Sequence, residues 1–218
     1  MVKKHSFRTN VAVEQYSESR HLWDTPLFAS DSFVALPTVG ALLEGWLLVV
    51  PRSYHLSFAK LSSEMFSELE LFLKEVVAVL ESTYGPVCAF EHGPVEAESA
   101  TGCGVDQAHL HLVPTQIDIR SAAQFIAPNV AWSRIDSLQA VRQNAAVRRT
   151  PYWFVQQRYG VSDCYIGECL YGETPSQLFR RALAAKLGRP ETFDWKIEAG
   201  EDRIEATVRR LGAQTVCA

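Results

Sequence analysis

Between Ser62 and Tyr84 the apolar residues Met65, Leu69, Phe72, Leu73, Val76 and Leu80 recur at the spacing of one helix face, and Gly85-Pro86 closes the run. That spacing predicts a long amphipathic helix, with Glu64 and Glu68 near the N-terminus where the macrodipole favours acids. A helix with one apolar stripe must bury it against another layer. Phe33–Leu36, Gly45–Val50 and the short run Val87–Phe90 read as strands, with Pro37 and Gly40 between the first two and Pro51 ending the second. Strand, strand, helix, strand predicts an α+β fold in which the helix packs on a sheet.

The next apolar run carries chemistry. In His109-Leu110-His111-Leu112-Val113-Pro114, two of the six histidines stand two residues apart. Extended backbone places alternate side chains on opposite faces, so His109 and His111 share one face while Leu110 and Leu112 share the other. Imidazole titrates nearest neutrality, so such a pair can supply a nucleophile or proton carrier together with a neighbour that positions it or binds an anion. The plainer reading is a half-buried strand that merely tolerates two histidines. The loop Glu91–Gln107 ahead of it holds Gly93, Pro94, Gly102 and Gly104, whose small size lets backbone amides approach a phosphate, with Ser99 and Thr101 as hydroxyl donors. Gly-rich loops are more often plain connections.

Composition narrows the classes. At 218 residues with 47% hydrophobic residues the chain can bury a substantial core. Lys and Arg number 21 against 25 Asp and Glu, for a formal charge of −4 without a basic tail, so there is no strong nucleic-acid signature. The first residues lack the apolar core of a secretory signal, and Trp46–Val50 is too short to span a bilayer, so a cytoplasmic protein without membrane contact is expected. Cysteines at 88, 103, 164, 169 and 217 form neither a disulfide framework nor a metal pair, and no metal site is expected.

After Pro114 the character changes. A helix around Asp136–Val147, strands over Tyr152–Gln157 and Cys164–Leu170, and a last helix over Glu201–Leu211 are expected. Thr174 as N-cap and Pro175 as first helical residue predict another helix, to about Leu187, closed by Gly188 and Pro190. Its free amides make a candidate anion site with Ser176, Gln177 and Arg180, although solvated helix starts are commoner. The expected organisation is a first domain over 1–118 and a C-terminal α/β extension over 119–218 that packs on or caps the site.

Phe33 to Pro114 resembles the histidine triad (HIT) superfamily. The resemblance is carried by Gly45-Trp46-Leu47-Leu48-Val49-Val50-Pro51, His55, the long helix, Phe90-Glu91-His92-Gly93-Pro94 and His109 to Pro114. It implies a HIT-like antiparallel sheet with a packed helix. It also implies a nucleotide phosphohydrolase, or a nucleotidyltransferase or phosphorylase, that attacks an α-phosphate and passes through a nucleotidyl-histidine. Counted back from Pro114, His109 is similar to the family's nucleophile and His111 to the third histidine; another register would make His111 the nucleophile. His55, Glu91, Gly102, Cys103, Gly104 and Gln107 fall where the resemblance implies substrate contacts. Gln107 stands in place of the first triad histidine, Glu91 where many relatives carry Asn or Gln, and Cys103 and Gly104 in place of the more usual Gln and Ser or Thr.

The stretch Thr174 to Arg180, with Leu187 to Glu191 and Asp194-Trp195, resembles extensions of CwfJ-like proteins and of the nucleotidyltransferase and phosphorylase branch. The implied partner is a nucleotide or dinucleotide substrate. No cofactor is required, and a divalent metal enters only as part of that substrate. The chain is expected to be a monomer or a homodimer. A non-catalytic HIT-like nucleotide-binding, RNA-binding or scaffold protein of CwfJ type is the alternative.

Overall fold

The computed structural model describes residues 21–97, 105–144 and 149–215. Its strands are β1 (Phe28–Ala29), β2 (Phe33–Pro37), β3 (Leu47–Pro51), β4 (Val87–Gly93), β5 (Leu110–Pro114), β6 (Val130–Ile135), β7 (Tyr152–Gln156) and β8 (Cys164–Cys169). The helices are α1 (Ser63–Tyr84), α2 (Ile119–Ile126), α3 (Ala140–Gln143), α4 (Leu178–Lys186) and α5 (Glu201–Thr215). All eight strands join one antiparallel sheet in the order β1-β2-β3-β5-β4-β7-β8-β6. The fold is therefore α+β, an antiparallel sheet with helices.

The α1 helix forms where its periodicity placed it. Ser62 caps it by accepting from the Met65 amide at 3.2 Å, and Gly85 ends it at φ 92°. Its buried stripe, Phe66, Leu69, Phe72, Leu73, Val76, Val77 and Leu80, packs on one sheet face with Leu47, Val49, Ala89, Leu110, Leu112 and Phe154. Alternation sends Trp46, Cys88, Phe90, Val113, Trp153 and Val155 to the other face, where α2, α4 and α5 cover them. The sheet is thus buried on both sides at its centre, where β5 lies between β3 and β4.

Residues beyond 118 enter the same sheet. β7 pairs with β4 over five residues, from Ala89 opposite Gln156 to Gly93 opposite Tyr152, and β8 and β6 continue outward from it. Two helix expectations are corrected. The helix expected over Asp136–Val147 is the single turn α3, because Asn144 turns extended at φ −72° and ψ 115°; residues 145–148 lie outside the described part. The helix expected from Thr174 starts at Leu178, because Gln177 adopts φ 58° and ψ 36°, a left-handed conformation that no helix can continue through. Three elements, β1, α2 and β6, were not anticipated. The α2 helix did leave a signal, since Asp118 caps it and Ile119, Ala122, Ala123 and Ile126 recur at helical spacing.

Candidate active site

His109 and His111 sit at the centre of the sheet because β5 does. His111 lies opposite Phe90 of β4 on one side and Leu48 of β3 on the other. Both imidazoles point away from α1, into the layer beneath α4, and are 5% and 4% exposed. Their ring centroids are 5.0 Å apart.

Each ring nitrogen has an assigned role wherever its partner can only donate or only accept. His109 Nδ1 lies 2.8 Å from the Gln107 carbonyl oxygen, so Nδ1 carries the proton and the lone pair sits on Nε2. His111 Nδ1 accepts from the Trp46 indole N–H at 3.0 Å, so its proton is on Nε2. Burial depresses the His109 pKa, opposed by its bond to Gln107, and it holds His111 well below the ordinary imidazole value, with His109, His92 and Arg180 adding to the effect. Both rings are neutral at pH 7.

A third imidazole joins them that the sequence reading did not single out. His92 follows Phe90 by two residues on β4, so it shares the face of His111; its ring meets His111 edge-on at 6.2 Å. His92 Nε2 accepts from the Phe179 amide at the start of α4, at 3.4 Å, and burial pushes its pKa down to about 3. Aromatic rings enclose the group. Phe90 stacks on His111 at 4.4 Å, and Phe179 lies 5.0 Å from His92.

Of the expected contacts, Arg180 comes to this cluster. It is 2% exposed, lies 4.9 Å above the Trp46 ring, and donates to the carbonyls of Phe193 and Gly40. Gln107 is also buried, and its amide nitrogen donates to the Pro51 and Ser53 carbonyls at 2.9 and 3.0 Å. It therefore ties the segment after β3 to the start of β5. His55, half-buried on that segment, accepts the Ala108 amide on its carbonyl, and its ring is 3.0 Å from the Ser53 hydroxyl.

Other residues are placed elsewhere. Ser176 is exposed and Gln177 donates to Asp194 at 3.1 Å. Glu91 points to the α1 side of the sheet, opposite the imidazoles, where its carboxylate accepts from the Phe58 amide at 2.7 Å and the Tyr152 hydroxyl at 2.5 Å. Burial lifts its pKa to about 7 against the pull of those two bonds. Gly93 makes room for this contact, since a Cβ there would overlap the Tyr152 ring. Gly102, Cys103 and Gly104 lie outside the described residues, as do Ser99 and Thr101.

Among the described residues, no group of three or more His, Cys, Asp or Glu side chains is placed to hold a metal ion, and no helix is long and apolar enough to cross a membrane.

No family model matches the chain, and no curated protein matches it. Among solved structures it is similar to a HIT-like protein involved in cell-cycle regulation from Bartonella henselae, at 14% identity over 41% of this chain and 67% of that one, with a TM-score of 0.36. It is likewise similar to a hypothetical histidine triad nucleotide-binding protein from Sulfolobus tokodaii, at 16% identity over 41% of this chain and 59% of that one, with a TM-score of 0.36.

Proposed function

We propose that the chain binds a nucleotide and transfers its nucleotidyl group through His109. The observation that carries this reading is the 2.8 Å bond from His109 Nδ1 to the Gln107 carbonyl. It places the proton on Nδ1 and the lone pair on Nε2, the atom that would attack, and the carbonyl offsets the positive charge that grows on the ring as Nε2 bonds to phosphorus. Low basicity from burial keeps the ring unprotonated at neutral pH, which a nucleophile requires.

In the proposed step the Nε2 pair forms an N–P bond to the α-phosphorus while the bond to the leaving oxygen breaks and that oxygen departs with its electrons. Water, phosphate or another acceptor oxygen then displaces His109 and restores the ring. The reaction needs no resident cofactor, and it covers hydrolase, phosphorylase and transferase outcomes. The HIT resemblance of His109 to Pro114 supports the same assignment.

The test is to mix the chain with a panel of α-labelled nucleoside polyphosphates and dinucleotides and follow products by mass spectrometry. An acid-labile, base-stable adduct on His109, lost in His109→Gly, is the expected result. Unchanged turnover in His109→Gly refutes the reading, and an adduct abolished only by His111→Gly reverses the register. A binding or scaffold role is the second reading, favoured by the Phe179 amide resting on His92 and by the near-complete burial of His109. Nucleotide binding without any product would establish it.

A further inference from the structure

Two ring N–H groups in the cluster stand out. The Trp46 indole can only donate, so His111 Nδ1 accepts and His111 Nε2 carries hydrogen; the Phe179 amide can only donate, so His92 Nε2 accepts and His92 Nδ1 carries hydrogen. Neither His111 Nε2 nor His92 Nδ1 has a hydrogen-bond partner among the described residues, and both are buried. A buried donor without an acceptor is costly, and folded proteins keep few of them. Here two belong to rings in edge-on contact at 6.2 Å.

The parts that hold the rings come from outside the His109 to Pro114 stretch. Trp46 precedes β3, and Arg180 of α4 lies over its ring while donating to the Gly40 carbonyl. Phe90 stacks on His111 with the ring planes 19° apart, which fixes the plane of the imidazole. Arg180 also brings a fixed positive charge whose field reaches both imidazoles. Two N–H donors beside a guanidinium are suited to an anionic oxygen.

We propose that Trp46 and the Phe179 amide lock His111 and His92 as two N–H donors, and that this pair takes an oxygen of the ligand's phosphoryl group. The assignment of the oxygen rests on the nucleotide reading above; the tautomer lock does not. Trp46 is a positioning residue, acting through His111, and His92 is a phosphate donor that motif spacing alone does not mark. The roles divide cleanly: His109 presents a lone pair and the other two rings present protons.

Long-range 1H–15N spectra of the full labelled chain at neutral pH read all three rings directly. The expected pattern is Nδ1–H for His109 and His92 and Nε2–H for His111. Trp46→Phe keeps the ring but removes the indole proton, so His111 should lose its single tautomer while His92 keeps its own. The opposite tautomers in the unsubstituted chain, which need no variant, or an unchanged His111 in Trp46→Phe, overturn the lock.

Adding AMP, GMP, CMP, UMP or orthophosphate should shift the His111 Nε2–H and His92 Nδ1–H signals. Trp46→Phe leaves the His111 ring able to donate, so it should weaken the binding of the responding probe by only about 2- to 5-fold, whereas His111→Phe, which removes the donor, should weaken it about 10- to 100-fold, the worth of one hydrogen bond to a charged group. If no probe moves either proton, the phosphate assignment falls. If a mononucleotide shifts His109 while leaving the other two rings unmoved, and an α-labelled nucleoside polyphosphate labels His109 with loss of its leaving phosphate, the donor pair fails and the proposed function stands. If orthophosphate moves the pair but His109 never forms an adduct, the donor pair stands and the nucleotidyl transfer fails.

Discussion

Glu91 and His92 are neighbours in sequence, yet strand alternation places them on opposite faces of β4 and burial drives their titrations in opposite directions. In the folded chain Glu91 keeps its proton up to about pH 7, whereas once unfolded it releases it near the ordinary value of 4.5. Between those values the folded state binds the extra proton, so this group's contribution to stability is full below pH 4.5 and falls by about 3 kcal/mol as pH rises through 7. His92 acts with the other sign. Its pKa drops from 6.5 to about 3 on folding, so stability is lost as pH falls below 6.5, by about 1.4 kcal/mol per pH unit. Urea titrations of the unsubstituted chain and Glu91→Gln at pH 4.5 and 7.5 isolate the carboxyl: relative to the unsubstituted chain, the variant should gain about 3 kcal/mol at the higher pH. A difference that does not change with pH would show that Glu91 ionises freely.

At the level of elements, α1 was fully legible and α4 was misplaced by its own punctuation. Apolar periodicity, the Ser62 cap and the Gly85-Pro86 stop all agree on α1, so local rules and tertiary packing select the same helix. Gly85 takes φ 92° and ψ −162°, a region open almost only to glycine, and a Cβ there would meet nothing within 4 Å. Gly85→Ala should therefore cost about 1–3 kcal/mol from backbone strain alone, seen as a lower urea midpoint with an unchanged m-value. Ser62→Ala should cost about 1 kcal/mol through the lost cap. At Thr174-Pro175 the same N-terminal rules pointed to a helix three residues too early. The Asp194 carboxylate accepting from Gln177, and the seating of Leu178 and Phe179 against the sheet, are long-range facts that no N-cap pattern carries.

Across the whole molecule, Arg180, Arg203 and Arg189 donate to the consecutive carbonyls of Gly40, Ala41 and Leu42, in the connection from β2 to β3. The Gly45 amide donates to the Thr207 hydroxyl of α5 at 2.8 Å. The C-terminal half thereby grips the segment that leads into Trp46, and it also supplies β7 to the open side of β4. A chain ending at residue 118 would leave the edge of β4 that faces β7 unpaired and uncover the Phe90 and Trp46 face. Such a fragment should be unfolded or aggregated by circular dichroism and gel filtration, and a soluble folded monomer would show that the first half stands alone. By itself the sequence determined what local periodicity encodes: α1, the strands around it, and two imidazoles sharing one face at the start of β5. Only the tertiary structure decided that His92 joins them, that Glu91 turns away, and that Trp46 and Phe179 set the ring protons. Those outcomes depend on which strands become neighbours and which helix covers them, and pairings between residues 65 and 87 positions apart leave no periodic trace in the chain.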